Sequence, residues 1–168
     1  MSDDEQQQQN QYAVNPSNLI SLTPPYLPDQ KIPMEFTLVL DLDETLIHFI
    51  EMMHHPRTGA KNNNNDETLD IENDEANESD VGGYFLIRPG AHEFLRQMSQ
   101  VYELVIFTAA MQDYADWVLD QLDTENLISY RLYRQHTTKQ NHVYLKDLIN
   151  VGRPIAKTII VDNVAANF

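Results

Sequence analysis

No cysteine occurs among the 168 residues, so disulfides, thiolate metal sites and a thiol nucleophile are excluded. Long hydrophobic runs are missing as well. Stretches such as Phe36–Leu40 fall far short of the ~20 residues that a membrane-spanning helix needs. The amino terminus, MSDDEQQQQN, lacks the basic and apolar opening of a secretory signal. The expectation is a soluble, intracellular protein of the nucleus or cytoplasm, with no membrane segment. Positive charge is scarce: 11 lysines and arginines face 26 aspartates and glutamates, for a net charge of −15. Nucleic-acid binding draws on clustered Lys and Arg to release counterions, so no direct contact with nucleic acid is expected.

The acidity is uneven. Residues 1–83 hold 17 acids and 3 bases, whereas residues 84–168 hold 9 acids and 8 bases. Residues 1–33 contain the run Gln6–Gln9 and the prolines Pro16, Pro24, Pro25, Pro28 and Pro33 without an apolar period. They read as a disordered segment whose last part, Pro24–Pro33, is an extended lead-in. A domain then spans 34–168, with an acidic, Asn-rich insertion at 51–83 that includes Asn62–Asn65 and eight acids without a base over Asp66–Asp80. A loop of about 30 residues in place of one of about 6 costs only ~1.4 kcal/mol of closure entropy, so a fold can carry it.

Hydrophobic residues make up 42% of the chain, enough for a core. Outside the insertion, apolar strands alternate with amphipathic stretches. Phe36–Leu40, Glu103–Phe107 and Lys157–Val161 read as strands buried on both faces, and Tyr84–Ile87 as a short strand. Helices are expected from Pro89 onward, with Phe94, Leu95 and Met98 inward. A second runs over Met111–Leu122, with Met111, Ala115, Val118 and Leu122 inward, and a third over Asp147–Val151, stopped by Gly152. The alternation predicts an α/β domain built on a parallel sheet with helices on both faces.

Each long strand runs into polar residues: Asp41 and Asp43 after the first, Thr108 after the second, Asp162 and Asn163 after the third. In open α/β sheets the ligand crevice lies beyond the carboxyl ends of the strands. Any one of these aspartates could be a turn or cap residue, but three strands converge here. Asp41, Asp43 and Asp162 together would repel one another without a cation, and an all-oxygen donor set favours a hard ion such as Mg²⁺. His48, His54 and His55 have no ligand spacing. Tyr114 and Trp117 read as core or rim packing, and His136 as structural.

The string Asp41-Leu-Asp-Glu-Thr45 resembles the DxDx(T/V) opening of the haloacid dehalogenase superfamily. The longer run Leu40–His48 resembles the branch of phosphatases acting on the RNA polymerase II C-terminal domain, together with the Dullard-like phosphatases. Arg88-Pro-Gly90, Phe107-Thr-Ala109, Tyr114-Ala-Asp116, Leu132–His136, Tyr144–Leu148 and Val161-Asp-Asn163 carry the same resemblance over Phe36–Ile50 and Tyr84–Phe168. It implies a haloacid dehalogenase-like Rossmannoid fold and a Mg²⁺-dependent serine/threonine phosphatase acting on a phosphorylated protein such as that polymerase domain. By the same resemblance Asp41 is the nucleophile that forms an aspartyl-phosphate, and Asp43 is the acid, then the base. Thr108 and Lys146 contact the phosphoryl group. Asp41, Asp162 and the backbone carbonyl of Asp43 hold Mg²⁺, with Asn163 in support. Thr45 braces the loop, and Arg88 and Arg134 lie near the substrate phosphate. Lys146 as a solvated lysine, and Arg134 as a surface ion-pair partner, are the plain alternatives. Val164-Ala165 stands where many relatives have Ser-Pro. Relatives continue with another strand and helix, so the domain is expected to be truncated at its carboxyl end. The 51–83 insertion is expected to replace the small antiparallel hairpin beside the site. A non-catalytic binding module and a small-molecule phosphatase of the superfamily are the competing functions.

Overall fold

The computed structural model describes residues 20–30, 34–51 and 83–168. In chain order these form β1 (Phe36–Leu40), β2 (Ile47–Glu51), β3 (Gly83–Ile87), α1 (Ala91–Met98), β4 (Tyr102–Phe107) and α2 (Gln112–Leu122). Then follow β5 (Tyr130–Leu132), β6 (Thr138–Gln140), β7 (Val143–Leu145) and β8 (Thr158–Val161), with single 3-10 turns between them. Four strands make the main sheet in the order β5-β4-β1-β8, and every pair is parallel.

Side chains alternate across the sheet, as strand geometry requires. Leu38 and Leu40 of β1 and Leu104 and Ile106 of β4 face α1 and α2, which contribute Ala91, Leu95, Ala115, Val118, Leu119 and Leu122. Val39, Val105, Phe107 and Leu132 face the other side. Both described α-helices therefore cover one face. The second face carries a single 3-10 turn, Leu148–Val151, where a third helix was expected over 147–151. Asp147 caps that turn by accepting the Ile149 N–H, and Gly152 ends it at φ 88°, a conformation suited to glycine.

The rest of that cover comes from the segment expected to be disordered. Tyr26 and Leu27 are buried, and their N–H groups donate to the carbonyls of Asn150 and Val151 at 2.9 and 3.1 Å. Tyr26 and Leu27 thus already pack on the sheet, upstream of the boundary expected at residue 34. The start of the chain that remains from the expected disordered stretch lies outside the described residues, as does most of the Asn-rich, acidic insertion.

The hairpin expected to be replaced is present. β2 and β3 pair antiparallel from Ile47 opposite Ile87 to Glu51 opposite Gly83. The insertion therefore joins the tip of this ribbon, and its ends at 51 and 83 belong to the strands. Three inward assignments also change. Phe94 on α1 and Met111, the residue before α2, are exposed. β8 is an outer strand with Ile159 and Val161 exposed, because among the described residues no element covers that side.

At the amino ends of the strands a second polar cluster is buried. The Glu103 carboxylate accepts Arg153 Nε and Nη2 at 2.7 and 2.8 Å, Thr37 Oγ1 at 2.9 Å and Gln30 Nε2 at 3.1 Å. Burial alone would raise the Glu103 carboxyl. The hydrogen bonds from Arg153, Gln30 and Thr37 and the charge of Arg153 together outweigh it, and hold the group below the usual glutamate range.

Candidate active site

The three polar strand ends do meet. β1 continues into Asp41, whose N–H donates to Val161 at 3.0 Å. The chain then folds back sharply. The Leu42 carbonyl accepts the N–H groups of Thr45, Leu46 and Ile47, and the fully buried Leu42 side chain anchors the turn. Glu44 takes φ 61°, the left-handed region that costs a non-glycine residue about 1–2 kcal/mol. Two contacts hold the strained turn. Thr45 Oγ1 donates to Asp41 Oδ2 at 3.1 Å, and Arg88 donates Nε and Nη2 to the carbonyls of Thr45 and Glu44 at 2.5 and 2.9 Å. Arg88 thus fastens the loop from the end of β3.

Lys146, just past β7, is the centre of the site. Its side chain is fully buried, and Nζ donates to Asp41 Oδ1 at 2.5 Å and Asp162 Oδ2 at 2.6 Å. It is no solvated lysine. Asp162 Oδ1 accepts the Val164 N–H at 2.8 Å, and the Lys146 N–H donates to Asn167 at 2.6 Å, so the last residues of the chain brace both partners. Burial raises the Asp41 carboxyl above its ordinary range, and the charge of Asp162 adds to this. Lys146, by charge and hydrogen bond, opposes the rise without cancelling it.

Asp43 is half-buried. Tyr114 of α2 donates its hydroxyl to Asp43 Oδ1 at 2.7 Å. Burial, that hydrogen bond and the charges of Asp43 and Glu44 push the phenol far above its usual range, so it remains a donor. Thr108 is buried at the end of β4, where its Oγ1 accepts the Ala110 N–H at 3.0 Å. Arg134 donates Nε to the Ala109 carbonyl at 2.6 Å. Asn163 is exposed, one residue past Asp162.

The expected convergence of three carboxylates is changed in one respect. Among the described residues no three acidic or imidazole groups form a ready metal cage. The Lys146 ammonium stands between Asp41 and Asp162, and Asp43 is turned to Tyr114. The sequence reading assigned Tyr114 to packing, and its ring does pack on Phe49 and Trp117. Its hydroxyl reaches Asp43 only because α2 crosses the β1 loop, which no local pattern announces. His136 is structural as expected: it is buried, and its Nδ1 accepts the Tyr133 N–H at 3.0 Å.

Over residues 36–168 the sequence matches the family described as NLI interacting factor-like phosphatase. The chain belongs to that family. Among relatives of this phosphatase family, Phosphatase PSR1 of Saccharomyces cerevisiae is 35% identical over 161 residues, covering 96% of this chain and 34% of that protein. A probable C-terminal domain small phosphatase of Dictyostelium discoideum is 39% identical over 134 residues, covering 79% and 40%. The human carboxy-terminal domain RNA polymerase II polypeptide A small phosphatase 2 is 39% identical over 131 residues, covering 78% and 44%. The chain thus spans between about a third and under half of these relatives' length. The solved structure of the fission yeast RNA polymerase II CTD phosphatase Fcp1 bound to beryllium fluoride superposes with a TM-score of 0.55 at 22% identity, covering 80% of this chain and 38% of that one. At that identity the likeness establishes the α/β fold.

Proposed function

We propose that the chain is a Mg²⁺-dependent phosphoprotein phosphatase working through an aspartyl-phosphate. The observation that carries this reading is the buried Asp41 carboxylate at the end of the central strand, gripped by Lys146. Lys146 and Thr45 each engage one of its oxygens, which fixes the carboxylate plane. An Asp41 oxygen attacks phosphorus as the bond to the serine oxygen breaks, and Asp43 gives that oxygen its proton. Asp43 then takes a proton from the water that attacks the same phosphorus, which releases phosphate and restores Asp41. Thr108 and the Lys146 ammonium stabilise the phosphoryl oxygens.

The residues suit a hard cation. All the donors are oxygen, and two carboxylates, Asp41 and Asp162, share one ammonium, with Asp41 under-neutralised even in contact with Lys146. Asp41, Asp162 and the carbonyl of Asp43 would hold Mg²⁺ with Asn163 in support, and the ion would neutralise charge on the transferring phosphoryl group. The substrate class is a phosphoserine or phosphothreonine segment of a nuclear or cytoplasmic protein. The RNA polymerase II C-terminal domain named for the human relative is the first to try.

The test is turnover of p-nitrophenyl phosphate and of a phosphoserine peptide, with Mg²⁺ and with excess EDTA. Activity on both, lost in EDTA and restored by Mg²⁺, is expected, with inhibition by beryllofluoride. Undiminished turnover in EDTA contradicts the metal assignment, and no turnover with Mg²⁺ contradicts the enzyme.

Tyr114→Phe separates the two roles of its ring. Packing survives, but the hydrogen bond that orients Asp43 is lost. Serine is a poor leaving group that needs the proton; p-nitrophenolate is a good one. Turnover of the phosphoserine peptide should fall about 10-fold or more, since acid catalysis contributes roughly 10²–10⁴-fold, with a much smaller fall for the aryl ester. Equal losses on both would show that the hydrogen bond does not act through the proton given to the leaving group.

A further inference from the structure

Cations are precious in so acidic a chain, and most of those described are matched to a carboxylate. Arg96 pairs with Glu93 and Glu125, Arg131 with Asp116 and Asp120, Arg153 with Glu103, Lys146 with Asp41 and Asp162, and Lys157 with Glu35. Arg88 is committed to backbone carbonyls. Among the described residues two others have no acidic partner, Arg134 and Lys139, and both lie on the same aromatic ring. Arg134 Cζ is 4.8 Å and Lys139 Nζ 5.7 Å from the centroid of Tyr144.

The placement ties this pair to the catalytic residues. β6 and β7 form a tight antiparallel hairpin in which Lys139 stands opposite Tyr144, turned by Asn141 at φ 56°. Tyr144 is two residues before Lys146. Arg134 spends Nε on the Ala109 carbonyl, beside Thr108. Its two terminal nitrogens have no protein hydrogen-bond partner among the described residues. A ring flanked by cations stiffens them at little cost in solvation. It also leaves their N–H groups able to donate to an incoming anion.

Resting on the phosphatase reading, we propose that Lys139 and Arg134, held on Tyr144, form a second anion subsite beside the catalytic pocket. It would select phosphoserine segments that carry another negative group nearby. Tyr144 lies in β7 and Lys146 one residue past its end, about 6–7 Å apart if the chain stays extended. An extended peptide covers the same distance in two residues, so the second anion belongs about two residues from the phosphoserine. A phosphate or a carboxylate could supply it.

The experiment uses the full chain and three peptides: phosphoserine with neutral flanks, phosphoserine with a second phosphoserine two residues away, and phosphoserine with aspartate there. Wild-type enzyme should favour the second over the first through KM, with the third between them. Preference only for the second peptide makes phosphate the ligand; equal preference for the second and third makes it any anion. In Lys139→Ala the ratio of kcat/KM for the second peptide over the first should fall about fivefold, the size of one exposed charge contact, and in Lys139→Glu further. Lys139→Arg should restore it. A ratio near one in the wild type, or a ratio indifferent to Lys139, overturns the subsite. Peptide binding to Asp41→Asn with and without Lys139→Ala, read by fluorescence anisotropy, reports the same preference without turnover. Failure of all three peptides to be hydrolysed would therefore count against the phosphatase, and indifferent binding against the subsite.

Discussion

Asp41→Asn is expected to abolish phosphatase turnover, to below about 1% of wild type, without lowering stability. The amide has the shape of the carboxylate and can still accept from Lys146, but it cannot form the bond to phosphorus. The stability half of the prediction follows from the raised Asp41 carboxyl. A carboxyl whose folded value lies above its unfolded one makes the fold bind a proton more readily than the unfolded chain. The penalty of ionising it appears as pH rises from the ordinary aspartate range through the raised value, and is complete above that. At neutral pH the native protein bears this penalty and the asparagine variant does not. Lys146 stays paired through Asp162, so no buried charge is stranded. Melting in the absence of divalent ions should place Asp41→Asn at or above wild type. A variant melting several degrees lower, or one retaining substantial turnover, contradicts the assignment. A catalytic group held at a cost to stability is an expected form of the trade-off between stability and activity.

Glu103→Gln should have the opposite profile: a large loss of stability and little loss of chemistry. The carboxylate and Arg153 are both nearly inaccessible, and removing one charge leaves the guanidinium buried without its counterion. Breaking a buried pair in this way costs about 3–5 kcal/mol, a fall of about 10 °C or more in melting temperature for a domain of this size. The cluster sits at the start of β1 and β4, about 13 Å along the strand from Asp41, so turnover well below the melting point should be near normal. The pH dependence has a definite sign. Because Glu103 is held below its ordinary range, its contribution is complete above the unfolded glutamate value, near 4.5. It is lost as pH falls through the lowered folded value. Acid titration of wild type and variant should show the gap between them narrowing in that window. A melting temperature within about 2 °C of wild type at neutral pH would show the pair to be dispensable.

The sequence and the structure agree where chemistry follows directly from strand polarity. Apolar runs that end in Asp41, Thr108 and Asp162 define a parallel sheet and its rim together, because the carboxyl ends of such strands lie on one side. They disagree where a role depends on what crosses above. Lys146 was placed by resemblance, and its burial between two carboxylates comes from a hairpin whose strands, Thr138–Gln140 and Val143–Leu145, are too short for a periodic signal. Phe94 and Met111 fit a helical spacing yet face outward, because spacing gives a stripe but not which edge of the stripe meets the sheet. β2 was missed because His48 and Glu51 interrupt its apolar pattern, and its partner β3 lies beyond the long insertion. Proline and glutamine around Ile20–Gln30 outweighed two adjacent apolar residues, Tyr26 and Leu27, which help to cover a face.

That strap has a practical meaning for drawing boundaries. The family match begins at residue 36, yet part of what shields Val39, Val105 and Phe107 lies upstream of it. A gene fragment cut at the edge of the recognised homology would express a sheet with part of one greasy side bare. Its poor yield in the soluble fraction would then be misread as a defect of the catalytic domain. Comparisons of such fragments across species would carry the same bias, since a short upstream clasp of this kind can diverge beyond recognition while it still performs its task. Limited proteolysis at the junction before residue 34 offers a direct view. A clasp that stays attached after cleavage is held by its buried side chains and its hydrogen bonds to Asn150 and Val151, and one that departs takes part of that face's cover with it.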